Sequence, residues 1–144
     1  MDIIRGGQIT EVISIGFARG DMFLEGIRHC IRECDIQHGV ILSGMGTFDK
    51  CRVHYTTFNG LPPVDEFVEI EGALELVNIT GHIVDGDPHL HCTVGDMDRT
   101  WAAHLEDGCR VLYLAEICIG RLDGMPMTRE VKHHGIRELH NTRK

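Results

Sequence analysis

The segment Pro88-His89-Leu90-His91-Cys92-Thr93-Val94-Gly95 carries the most chemistry in this chain of 144 residues. In a β-strand, residues i and i+2 point to the same face. His89 and His91 therefore present two imidazoles side by side, while Leu90, Cys92 and Val94 turn toward a core. A third nitrogen is available from His104 in Trp101-Ala102-Ala103-His104-Leu105, because the loop Asp96–Thr100 is short enough to bring it back. Three neutral imidazoles with one open position suit zinc, and other imidazole-tolerant divalent metals fit the same set. The open position would take water, a small molecule or a residue from a neighbouring subunit. The plainer reading is paired histidines that are solvated or hydrogen-bonded, since His-x-His also occurs by chance.

The remaining histidines among the ten have simpler explanations. His82 in Thr80-Gly81-His82 could approach the cluster across a turn and is kept as a supplement. His54 shares a strand face with Arg52 and Thr56 and reads as solvated, as do His133, His134 and His140. His29 and His38 belong to a helix surface and its C-terminal end. Glu116 lies on a long apolar strand, where a buried carboxylate needs a partner. An ion pair with Arg52 or Arg110 is the bland account, and a general base beside a metal the sharper one. Gly44 and Gly46, in Ser43-Gly44-Met45-Gly46, imply a bulge, a bend or close approach of another backbone or ligand. No nucleophile elbow, P-loop or dinucleotide fingerprint is present, and no catalytic residue is assigned.

These groups need a scaffold, and its elements are legible. Val12–Phe17 alternates as a strand. Asp21 is placed to cap a helix whose stripe Phe23, Leu24, Ile27, Cys30, Ile31, Cys34 is apolar, with Gly39 after His38 as its stop. Val40–Leu42, Cys51–Tyr55, Glu66–Ile70, Ala73–Ile83, His89–Val94 and Val111–Ile119 read as further strands, interrupted at residues 43–46 and near Glu71-Gly72. The prediction is an α+β fold: a largely antiparallel sheet of about seven strands packed with one main helix. Residues 1–144 form one domain, with 123–144 a basic, extended, partly frayed tail.

Composition narrows the function. Net charge is −8, divided into −11 for residues 1–120 and +3 for 121–144. That balance disfavours a phosphate-backbone binder, except through the tail. No apolar run approaches a membrane span. The six cysteines lack CxxC spacing and no export signal is visible, so free thiols in the cytoplasm are expected.

Arg19-Gly20-Asp21, Ser43-Gly44-Met45-Gly46-Thr47-Phe48, Glu69-Ile70-Glu71-Gly72-Ala73-Leu74-Glu75-Leu76, Thr80-Gly81-His82-Ile83, Pro88-His89-Leu90-His91 and Ala103-His104-Leu105 occur in order. Together, from about Ile13 to Leu122, they resemble the plants-and-prokaryotes conserved domain of the stand-alone prokaryotic type. The resemblance implies an antiparallel sheet against a helix, assembly as a homotrimer, and the His-x-His plus later His. Plant members are DNA-binding proteins with AT-hooks, whose Arg-Gly-Arg-Pro core this sequence lacks, so DNA binding does not follow. Where relatives often carry glycines, this chain has Ala102-Ala103. Three functions are carried forward: a zinc-containing trimer that binds or acts on a small molecule, a DNA-binding regulator, and a structural trimerisation module.

Overall fold

The computed structural model describes residues 1–143. In chain order the elements are β1 (Gln8–Ala18), α1 (Phe23–Glu33), β2 (His38–Thr56), β3 (Asp65–Val84), β4 (Asp87–Gly95), β5 (Thr100–Leu105), β6 (Arg110–Asp123), β7 (Met127–Val131) and β8 (Arg137–Asn141). A 3₁₀ turn at His133–Gly135 links the last two. Six strands form one sheet in the order β1-β6-β2-β3-β4-β5, and β7 pairs with β8 in a second sheet. The fold is α+β and its pairings are antiparallel, as the sequence predicts.

The helix buries Phe23, Leu24, Ile27 and Ile31, while Cys30 and Cys34 are half-buried with their sulfurs 3.9 Å apart. Phe23 packs its ring against Phe17 and Phe48 at centroid distances of 4.8 and 5.1 Å, which ties the helix to β1 and β2. Two helix boundaries differ from expectation. The N-cap is Met22, and the Asp21 carboxylate instead accepts a bond from the Ala18 N–H at 2.8 Å. The helix ends at Glu33, with Asp35 taking the left-handed turn at φ 47°. Aspartate tolerates that conformation, so Gly39 is not needed as a stop. It lies inside β2, where a Cβ would sit 3.3 Å from the Gly120 carbonyl oxygen.

β2 and β3 run unbroken for 19 and 20 residues. The glycines expected to end strands mark irregularities within them. Register shifts fall between Ile41 and Ser43, Gly46 and Phe48, and Phe48 and Lys50, and the last opposes a step from Leu74 to Glu71 in β3. Such bulges bend and twist a strand. β5 pairs with β4 on one side and with the far end of β2 on the other, so β2, β3, β4 and β5 close on themselves. Within this closure Leu74, Leu76, Leu90, Val94 and Leu105 are buried.

Residues 127–141, read from the sequence as part of a frayed tail, pair as a hairpin docked on the β3–β4 turn. The Asp85 carboxylate accepts bonds from the Thr128 hydroxyl and the Arg129 N–H, and Asp87 pairs with Arg137 at 2.7 Å. These acidic partners give the basic segment a place to fold. Lys144 lies outside the described residues.

Candidate metal centre

β4 delivers His89 and His91 to one face, and Leu90, Cys92 and Val94 to the core. β5 delivers His104, which is the cross-strand partner of His91 in β4 and of His54 in β2. The closure of β2 through β5 thus sets His104 between two other histidines. One nitrogen from each of His89, His91 and His104 lies within 4.8 Å of the others. The Nε2 atoms of His89 and His91 are 3.3 Å apart. Zinc–nitrogen bonds of about 2.0–2.1 Å place tetrahedral ligands roughly 3.3 Å apart, so this pair already spans one edge of such a site. The donor set fits a borderline-soft divalent ion.

Electrostatics also favours the ligating form. Burial, followed by the nearby His54, His89 and His91 rings, pushes the His104 imidazole down to about 4 from 6.5. Loss of surrounding water and the Arg129 charge lower His89. The same loss of water, with His54 as a smaller cause, lowers His91. A neutral imidazole has a lone pair free for a metal.

Two groups were missed at the sequence level. His54, read as solvated, is half-buried, and its ring stacks on His104 at 4.3 Å. Its Nδ1 lies 2.6 Å from the Glu106 carboxylate, which is itself 3.9 Å from His104 Nε2. His54, His104 and Glu106 form a second group whose ligand atoms lie within 4.8 Å. Glu106 carried a readable signal, since it stands two residues after His104, just past the end of β5. His54 carried none, because its approach depends on the β2–β5 pairing.

The supplementary residues divide. His82 is the cross-strand partner of His89 and lines a cleft with His89 and His91. Glu116 does not join the cluster, and neither expected ion pair forms. It is exposed and lines a separate cleft with Ser14, Ser43 and Gly44, while Arg110 pairs with Asp49 and Arg52 lies over the Phe67 ring. The alternation of β6 explains this, since Ala115, Ile117 and Ile119 take the core face and Glu116 the other. Gly44 and Gly46 serve strand packing: a Cβ at Gly44 would lie 2.4 Å from Ile79, and one at Gly46 2.5 Å from the Ala115 Cα. His140 departs from its expected exposure by binding Asp2 at 3.0 Å.

A family model for the Plants and Prokaryotes Conserved (PCC) domain matches residues 4–123. The chain belongs to this family. Solved structures show the same fold. A plant- and prokaryote-conserved protein from Pyrococcus horikoshii superposes with a TM-score of 0.82 at 21% identity, covering 97% of this chain and 98% of that one. A metal-containing protein from Archaeoglobus fulgidus gives 0.82 at 17% identity, covering 98% and 100%. A proposed DNA-binding protein from Bacteroides thetaiotaomicron gives 0.79 at 18% identity, covering 99% and 100%. The bifunctional protein GlmU of a Synechococcus strain is 27% identical over 101 residues, 69% of this PCC chain. The chain spans only 15% of that relative's length. Among the described residues no helix is long and apolar enough to cross a membrane.

Proposed function

We propose that this PCC-domain chain is a cytoplasmic, homotrimeric metal-binding protein, with zinc held by His89, His91 and His104 and a small molecule taken at the fourth position. One observation carries the reading: three imidazole nitrogens from two strands converge within 4.8 Å, with two of them at tetrahedral spacing. A zinc ion bound there supplies a Lewis acid that polarises a coordinated carbonyl, phosphoryl or water oxygen. Around it, His54 and Glu106 form a hydrogen-bonded pair packed against His104. That pair restrains the His104 ring and places a carboxylate at the rim, as outer partners of metal-binding histidines do.

Trimer formation draws support from the resemblance and from the outer face of β1, β6 and β2. Val12, Met45 and Leu114 stand more than half exposed there, apolar side chains that a partner chain would cover. DNA binding draws less support. In the C-terminal hairpin Arg137 pairs with Asp87 and Lys132 with Glu130, so the hairpin offers no broad basic surface for a phosphate backbone. Metal analysis of protein purified without chelator tests the reading. About one zinc per chain is expected, and a protein that neither carries nor takes up a divalent metal overturns it.

A further inference from the structure

We infer that the C-terminal hairpin completes the site, with Arg129 as the anchor for an oxyanion, a carboxylate or phosphate group, on the small molecule that meets the histidine centre. This rests on the metal reading above. The hairpin begins at Met127, after the residues 4–123 that the family model matches.

A cleft of about 690 Å³ opens beside the histidines, and His54, His89, His104, Glu106, Arg129 and Arg137 are among the residues that line it. That volume is within the range of small-molecule sites. Arg129 and His89 also share the adjoining cleft that holds His82 and His91. Arg129 is fixed in place by donating to the Asp87 and His82 carbonyl oxygens at 3.2 and 3.4 Å. Those carbonyls belong to the β3–β4 corner, two residues before His89 and directly across from it.

The charge on Arg129 sets it apart from its neighbours. Arg28 meets Asp87 and Asp107, and Arg137 meets Asp87. Both Asp87 oxygens are used in these pairs. Among the described residues no carboxylate lies within ion-pair distance of Arg129, whose guanidinium is bound only to neutral carbonyls. Its partial burial and the neighbouring Arg137 both act against the charged form, and Asp87 and Asp85 only partly offset them. A guanidinium left with free donors matches the fork of a carboxylate or phosphate.

The metal sharpens the need for an anion. Three neutral imidazoles leave a divalent ion's charge intact, and Arg129 adds another positive charge beside it. The Glu106 carboxylate is already bonded to His54. An oxyanion at the open metal position that also meets Arg129 offsets both charges, and neutral ligands do not. Asp65, Asp87 and Glu106 line the same cleft and would repel a second anionic group, so the site suits a molecule with one acidic end.

Cobalt(II) in place of zinc makes the test visible. The parent protein, Arg129→Gln and Arg129→Lys are loaded with cobalt and titrated with inorganic phosphate and, separately, acetate. The visible d–d spectrum and the anion-induced shift in melting temperature are both recorded. Expected are equal cobalt content in all three and anion binding at least tenfold weaker in Arg129→Gln. Arg129→Lys should fall between the parent and Arg129→Gln, because the charge remains while the planar fork is lost. Tighter phosphate than acetate identifies a phosphorylated ligand, and the reverse a carboxylate. Parent-like anion binding in Arg129→Gln, no anion response in the parent, or a Lys variant as weak as the Gln variant overturns the inference. A parent that takes up no cobalt overturns the metal reading instead, and the melting shift then decides whether Arg129 binds the anion unaided. If Arg129→Gln does not fold, Arg137→Gln leaves the Arg129–carbonyl bonds intact. It should weaken the anion at least threefold, and parent-like binding there is a negative result.

Discussion

His104 and His54 face each other across the short β5–β2 pairing, with their rings stacked at 4.3 Å. His104 also faces His91 across β4, so it belongs to both groups of candidate ligands. The two groups make different demands on a metal, and variants separate them. His104→Ala removes a ligand from each and should leave under a tenth of the parent's metal. His91→Ala should do the same if His89, His91 and His104 hold the ion. His54→Ala leaves those three in place and should lower affinity roughly tenfold, as loss of an outer partner typically does. Elemental analysis with chelator competition checks this order. Metal retained in His91→Ala but lost in His54→Ala would move the ion to the His54, His104, Glu106 group.

The His104 environment also predicts an acid limit on stability in the metal-free protein. Its imidazole titrates near 4 in the folded chain and near 6.5 when unperturbed. Between those values the unfolded chain binds a proton that the folded chain refuses. The folded state therefore loses stability as pH falls from about 6.5 to about 4, and this contribution flattens below that. Melting temperatures recorded with excess chelator across that window should fall with pH. His104→Gln, which cannot titrate, should show a shallower slope, and an identical slope would assign the acid sensitivity elsewhere.

Local pattern makes much of this legible in the sequence. The alternation Leu90, Cys92, Val94 put His89 and His91 on the outer face, and all three apolar residues are buried. The helix stripe Phe23, Leu24, Ile27, Ile31 is likewise buried. What failed was non-local. Glycines at 44, 46 and 72 look like strand ends when only one strand is read, yet 44 and 46 answer the close approach of neighbouring strands and 72 the positive φ of a bulge. His54 joins the site through a pairing formed some fifty residues along the chain. The basic tail reads as solvated until Asp85 and Asp87 are brought beneath it.

The outer face of β1, β6 and β2 gives an assembly prediction. Leu114 is 52% exposed and Val12 59%, and neither supports the core of one chain. Replacing Leu114 with Glu should therefore leave the folded protomer intact by circular dichroism. In a trimer with this face at its interface, the charge would be buried without a partner, which is strongly unfavourable. Sedimentation should show the parent at three chains and Leu114→Glu at one. A parent that sediments as a monomer rejects the trimer, and a variant that stays trimeric moves the interface to another face.

Gly81 provides a test that separates metal geometry from ligand identity. It sits at φ 147°, opposite Leu90, and a Cβ there would lie 2.1 Å from the His89 carbonyl oxygen. Leu90 Cδ2, at 2.9 Å, can yield by a side-chain rotation, but the His89 carbonyl is backbone and cannot. Gly81→Ala must therefore push β4 away at His89 while keeping every imidazole in the sequence. Backbone strain of roughly 1–3 kcal/mol is expected, which lowers melting by about 3–10 °C in a chain of this size. The displacement also opens the His89–His91 nitrogen spacing of 3.3 Å, so zinc affinity should fall by more than tenfold. Gly72→Ala is the control, since it has a comparable φ of 145° but open space around its Cβ. It should lose stability and keep its zinc. Equal zinc loss in both variants would attribute the effect to general strain, and loss confined to Gly81→Ala would tie it to the position of His89.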